Sequence, residues 1–147
     1  MESITNQLIL MHRKEWWQDP SMSDEILASY FDNLIKSGNI ILYIENDIVV
    51  GYVEFWRINF EQLGRILCGA KFLAESEDIT NGSIAYVANV HVIEEHRLKE
   101  PIKILKESFF KRNFHCDYFV GEARRKKHQP FKCFSRKEFL KKYSGVE

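Results

Sequence analysis

The chain has 147 residues, the usual size of one domain, with 21 basic and 21 acidic side chains and a formal net charge of zero. Apolar residues at 45% and aromatic residues at 14% exclude a disordered chain, and three cysteines, odd in number and far apart, exclude a disulfide framework and a structural zinc site. No run approaches the roughly 18 apolar residues of a spanning helix, and the start lacks a basic segment followed by an apolar one, so a cytoplasmic, unsecreted protein with reduced thiols is expected. Charge is unevenly placed: residues 121–147 carry nine Lys or Arg against Glu122, Glu138 and Glu147. That asymmetry hints at an anionic ligand near the C-terminus.

Ile4, Leu8 and Met11 repeat at helical spacing, and a first helix is expected from Ile4 to Trp17, stopped by Asp19-Pro20. Ser23, followed by Asp24 and Glu25, reads as an N-cap with an acidic first turn, and the apolar face from Ile26 to Ile35 ends at Gly38. Ile40–Glu45 and Ile48–Ile58, rich in β-branched and aromatic residues, flank Asn46-Asp47 as a hairpin. Residues 59–82 give a weak signal, a short helix around Glu61 to Leu73 and then a polar loop. Ser83–Ile93 is almost continuously apolar and reads as a central strand covered on both faces, with Val87, Val90 and Val92 buried. Pro101 opens a helix whose buried face is Ile102, Leu105, Phe109 and Phe110, and Cys116–Gly121 is a fourth strand. Beyond Pro130, Phe131, Phe134, Phe139, Leu140 and Tyr143 suggest a final helix or a mixed segment.

This order of elements, over residues 23–143, resembles the GNAT superfamily of acyl-CoA N-acyltransferases (general-control-related N-acetyltransferases). The hairpin Ile44-Glu-Asn-Asp-Ile-Val-Val-Gly-Tyr-Val-Glu is similar to the family's second and third strands. Val90-His-Val-Ile-Glu-Glu-His-Arg97-Leu98-Lys99 is similar to the end of its fourth strand and the start of its pyrophosphate loop. The resemblance implies one α/β (α+β) domain over residues 1–147, with a mixed central sheet flanked by helices. It further implies acetyl-CoA as a substrate beside Val90 and Val92, with its pyrophosphate near Arg97, Leu98 and Lys99 at a helix N-terminus, and an amine as acyl acceptor. The chain departs from the family pattern at three positions. Glu100 and Ile102 stand where the loop has glycines, around Pro101, which has no N–H, and Phe134 stands where a tyrosine protonates the departing thiolate.

An amine must lose a proton before it attacks a thioester, and Glu54 and His91 are the candidate catalytic residues, with Glu94 a further candidate base. Val53 and Phe55 point opposite to Glu54, which therefore faces either the substrate cleft or, as the favoured environment, solvent. His91 shares a strand face with Asn89 and reads first as a structural histidine and second as a candidate base; Tyr86 lies on the opposite face and reads as core. Glu94 and Glu95 read as solvated turn residues. Arg97 is placed either for a phosphate or for a surface ion pair. Trp16, Trp17 and Trp56 read as core or interface anchors, with Trp56 beside Arg57 an alternative wall of an acceptor cleft. The run Arg124, Arg125, Lys126, Lys127 supports a second reading, a catalytically degenerate binding module for nucleic acid or an acidic partner, unless it is simply a solvated face. No metal is expected.

Overall fold

A computed structural model describes residues 3–15, 23–68, 82–93, 99–122, 131–135 and 137. Their elements in chain order are α1 (Ile4–Glu15), α2 (Asp24–Ser37), β1 (Ile40–Glu45), β2 (Ile48–Ile58), α3 (Phe60–Leu67), β3 (Ile84–Val92), α4 (Lys99–Arg112), β4 (Tyr118–Glu122) and β5 (Phe131–Ser135). The strands form a mixed sheet in the order β1-β2-β3-β4-β5, in which β1–β2 and β4–β5 are antiparallel and β3–β4 is parallel. This is the expected α/β (α+β) class, with one strand more than expected. The chain divides into two compact units, Met1–Glu54 with Asn89–Phe110 and Phe55–Ala88 with Lys111–Glu147.

In the first unit, α2 starts and stops as its sequence dictates. The Ser23 hydroxyl accepts a hydrogen bond from the Ile26 N–H, and Gly38 takes the left-handed conformation (φ 74°) that lets its N–H close on the Ile35 carbonyl. Leu27, Phe31 and Leu34 are its buried residues. The β1–β2 turn places Asn46 and Asp47 at φ 50° and 66°, the pair of positive values a two-residue hairpin loop requires and the two residue types that adopt them most readily after glycine. The β1–β2 ladder shifts by one residue between Tyr43, opposite Gly51, and Ile44, opposite Val49. Val50 is thus an extra residue on β2, a bulge, and its carbonyl accepts from the Ile93 N–H at 2.9 Å. Gln7 of α1 reaches this turn: its Nε2 donates to the Asp47 carbonyl (3.1 Å) and its Oε1 accepts from the Val49 N–H (2.7 Å).

Helix α4 begins at Lys99, so Pro101 lies in the first turn, where the missing N–H costs no internal helical bond. Pro101, Leu105 and Phe109 form the buried stripe at four-residue spacing, and Ile102, expected in it, is rotated out to 45% exposure.

In the second unit, α3 carries a capping box: Asn59 Oδ1 accepts from the Gln62 N–H (2.8 Å), and Gln62 Oε1 accepts from the Asn59 N–H (2.9 Å). The ladder between β3 and β4 runs from Ile84 opposite Tyr118 to Val87 opposite Gly121. Beyond Pro130 the structure has a strand where a helix or mixed segment was expected, and β5 pairs with β4 from Tyr118 opposite Ser135 to Glu122 opposite Phe131. Pairing with a distant strand overrides the local Phe131–Phe134 spacing that suggested a helix. Phe139, Leu140 and Tyr143, like Trp16, Trp17, the last residues of the helix expected to reach Leu73 and most of the polar loop expected after it, lie outside the described residues. Among the described residues no helix is long and apolar enough to cross a membrane.

Candidate functional site

Strand alternation puts Tyr52 and Glu54 on one face of β2, and Asn89 and His91 on one face of β3. The first unit brings the two faces together. Asn89 Nδ2 donates to Glu54 Oε1 at 3.1 Å, and the His91 ring stacks on Tyr52 with centroids 6.0 Å apart and planes 19° from parallel. From α2, the Tyr30 hydroxyl donates to Glu54 Oε2 at 2.5 Å. The carboxylate is therefore held by a donor on each oxygen, one from a helix and one from the neighbouring strand.

This corrects the expectation for Glu54. It is 3% exposed, not solvated, because α2 covers this face and supplies a hydroxyl to a carboxylate that would otherwise be costly to bury. His91 is also buried, at 8%. Around them the rings form a continuous edge-to-face series: His12 of α1 on Phe31 (6.3 Å, 73°), Tyr30 on Phe31 (5.7 Å, 75°) and Phe31 on Tyr52 (6.0 Å, 80°). Such pairs restrict each ring's rotation and so fix where Tyr30 and His91 present their polar atoms. Sequence reading placed Tyr30 on a helix core face and did not connect it to Glu54, from which it is 24 residues distant.

The other candidate ligand residues are less gathered. Val92 is buried, but Val90 is 48% exposed, against the expectation that it is covered. Val87, also expected to be buried, is half-buried, and among the described residues the β3–β4 ladder ends there, three residues before Val90. Lys99 is the first residue of α4, and Glu100 is exposed in its first turn. Arg97 and Leu98, with Glu94 and Glu95, lie outside the described residues, as do Arg124, Arg125, Lys126 and Lys127. Phe134 sits in β5 opposite Phe119.

In the second unit, Arg57 is committed to structure. Its Nε donates to Asn113 Oδ1 (2.9 Å) and its Nη2 to the Arg112 carbonyl (3.2 Å), closing the end of α4, while Trp56 and Tyr86 are core. Burial pushes the Cys116 thiol up from its ordinary pKa, partly opposed by the Arg57 guanidinium. Among the described residues no group of three or more His, Cys, Asp or Glu is arranged to hold a metal ion.

No family model matches the chain, and no curated protein does. Solved structures do. An N-acetyltransferase from Staphylococcus aureus Mu50 matches with a TM-score of 0.55 at 10% identity, over 80% of this chain and 66% of that one. GphF, a GNAT-like decarboxylase in complex with isobutyryl-CoA, matches with a TM-score of 0.59 at 15% identity, over 97% of this chain and 74% of that one. A GNAT family acetyltransferase from Brucella melitensis in complex with acetyl-CoA gives 0.53 at 13% identity, over 91% and 84%. The chain thus spans just under two thirds of the length of the Staphylococcus protein.

Proposed function

We propose that this chain, which has the fold of the GNAT superfamily, acts as one domain that transfers an acyl group from acetyl-CoA to an amine. The observation that carries the reading is the carboxylate of Glu54, buried on the face of β2 that meets Asn89 and His91 of β3, and fixed by two donors. A general base needs that fixed geometry. In this reading the amine nitrogen attacks the thioester carbon, the C–N bond forms, the C–S bond breaks, and the amine's proton passes to Glu54, with His91 the alternative acceptor. The backbone of β3 around Val90 and Val92 lies along the acyl arm, and Arg97, Leu98 and Lys99 receive the pyrophosphate at the start of α4. Phe134 has no hydroxyl, so the thiolate takes its proton from solvent. Support for acetyl-CoA as the donor comes from the fold and from structural neighbours solved with acyl-CoA thioesters. A cytoplasmic location fits that reading.

A second reading is favoured by one observation: Glu100 and Ile102, where the family pattern has glycines, are both exposed in the first turn of α4. A carboxylate there competes with phosphate for the helix N-terminus. The domain would then be a binding module whose Arg124, Arg125, Lys126 and Lys127 meet nucleic acid or an acidic protein.

Calorimetric titration with acetyl-CoA separates the two. The first reading expects saturable binding, weakened about 10–100-fold by Arg97→Ala, the scale of a charge-assisted hydrogen bond. It also expects thiol release with a panel of primary amines, abolished by Glu54→Gln. Absence of acetyl-CoA binding, together with retention on nucleic acid that high salt reverses, rejects the enzyme.

A further inference from the structure

We infer that Tyr30 is a positioning residue for Glu54: its hydroxyl fixes the direction in which the carboxylate presents its oxygens. The inference rests on the acyltransferase reading for its chemical purpose, though not for its geometry. Glu54 sits on a strand, so alternation decides only which face it takes and leaves its terminal torsion broad. Two donors remove that freedom. Asn89 binds Oε1 from the neighbouring strand at 3.1 Å, and Tyr30 binds Oε2 from α2 at 2.5 Å.

Tyr30 suits this task because it is itself held. Its ring meets Phe31 edge-on, Phe31 meets Tyr52, and Tyr52 stacks on His91, so the helix side chain is tied through three ring contacts to the strand that bears the second candidate base. A serine or threonine hydroxyl at this place would lack that anchorage. Among the described residues, the ionisable groups these contacts link are Glu54 and Tyr52 of β2, Tyr30 of α2, His91 of β3 and His12 of α1. With Glu54 so oriented, the oxygen that takes an amine's proton is chosen by the fold instead of by the substrate.

The test uses the full chain, wild type, Tyr30→Phe and Glu54→Gln, labelled with ¹³C at the glutamate carboxyl and tyrosine Cζ positions. Glu54 is assigned as the carboxyl resonance lost in Glu54→Gln. At neutral pH the Glu54 resonance should move in Tyr30→Phe, and the Tyr30 Cζ resonance should move in Glu54→Gln. If Tyr30→Phe does not fold, the second shift alone decides. Unmoved resonances overturn the proposal. In acyl-transfer assays Tyr30→Phe should lower kcat about 10–100-fold while KM for both substrates stays within about twofold, the signature of a misplaced reacting group; an unchanged kcat overturns it too. Resonances that move in a chain with no acyl transfer refute the acyltransferase reading and uphold the contact.

Discussion

Gly51→Ala tests the packing that joins the hairpin to α4. A Cβ built on Gly51 falls 2.9 Å from the His91 carbonyl oxygen, 3.0 Å from Val92 Cγ2 and 3.1 Å from Leu105 Cδ1. The valine methyl and leucine tip have some freedom to turn, but the carbonyl belongs to the β3 backbone and does not, so β2 and β3 must part by a few tenths of an ångström. Overpacking of this kind costs about 1–3 kcal/mol. Losing glycine's freedom in the unfolded chain returns about 0.4–1 kcal/mol. The net loss is about 0.5–2 kcal/mol, and at about 3 °C per kcal/mol for a chain of this length the melting point falls by about 2–6 °C. Gly64→Ala is the control: in the α3 helix, with no atom within 4 Å of the added Cβ, it should gain about 0.5–1 kcal/mol. Thermal melts followed by circular dichroism, with urea titrations to check that the slope is unchanged, measure both. Gly51→Ala melting at or above the wild type would refute the reasoning, since it would mean that the strands and α4 are not in contact there.

Gly82→Ala should be worse, because its Cβ would lie 1.9 Å from the Ile58 carbonyl oxygen and 2.2 Å from its carbon; a loss above about 3 kcal/mol is expected by chemical denaturation. Gln7→Ala removes two hydrogen bonds that tie α1 to the β1–β2 turn and leaves the Val49 N–H unanswered by that side chain; about 1–2 kcal/mol of stability should go, with faster amide exchange at Val49. Cys116, buried and with its thiol pKa raised, should alkylate far more slowly than exposed Cys68 in the native protein. The sign for stability follows: the stability that Cys116 contributes is fully present below its ordinary pKa of 9.0 and is lost as pH rises toward and through the raised native value. Cys116→Ala should therefore flatten the alkaline end of a plot of stability against pH.

The parts of the fold that were legible in the sequence are those whose causes are local. Ser23, Gly38 and Asn46-Asp47 act within a few residues of themselves, and each sets its boundary where expected. The α3 start is equally local: Asn59 and Gln62 form a capping box at three-residue spacing, and the helix expected around Glu61 to Leu73 begins at Phe60 and ends sooner, at Leu67. What failed depends on distant partners. β5 exists because β4 pairs with it, and no period within residues 131–135 announces that. Alternation put Glu54 and His91 on definite faces but could not say what covers a face, and the answer for Glu54 is a tyrosine from helix α2. Val90 shows the same limit in reverse: an apolar run predicts burial only as far as its neighbours extend.

The ladder between β3 and β4 also governs how the chain can fold. The β1–β2 hairpin closes across a two-residue turn, whereas the first β3–β4 pair joins Ile84 to Tyr118, 34 positions apart, and requires the α4 crossover between them. Closing the longer loop costs entropy before any parallel contact repays it. The hairpin is accordingly an early element and the parallel pair a late one. By the same measure β4 and β5, whose nearest described pair joins Glu122 to Phe131, nine positions apart, can close before the parallel pair does, and until β3 docks the edge of β4 that will meet it is open to a second unfolded chain.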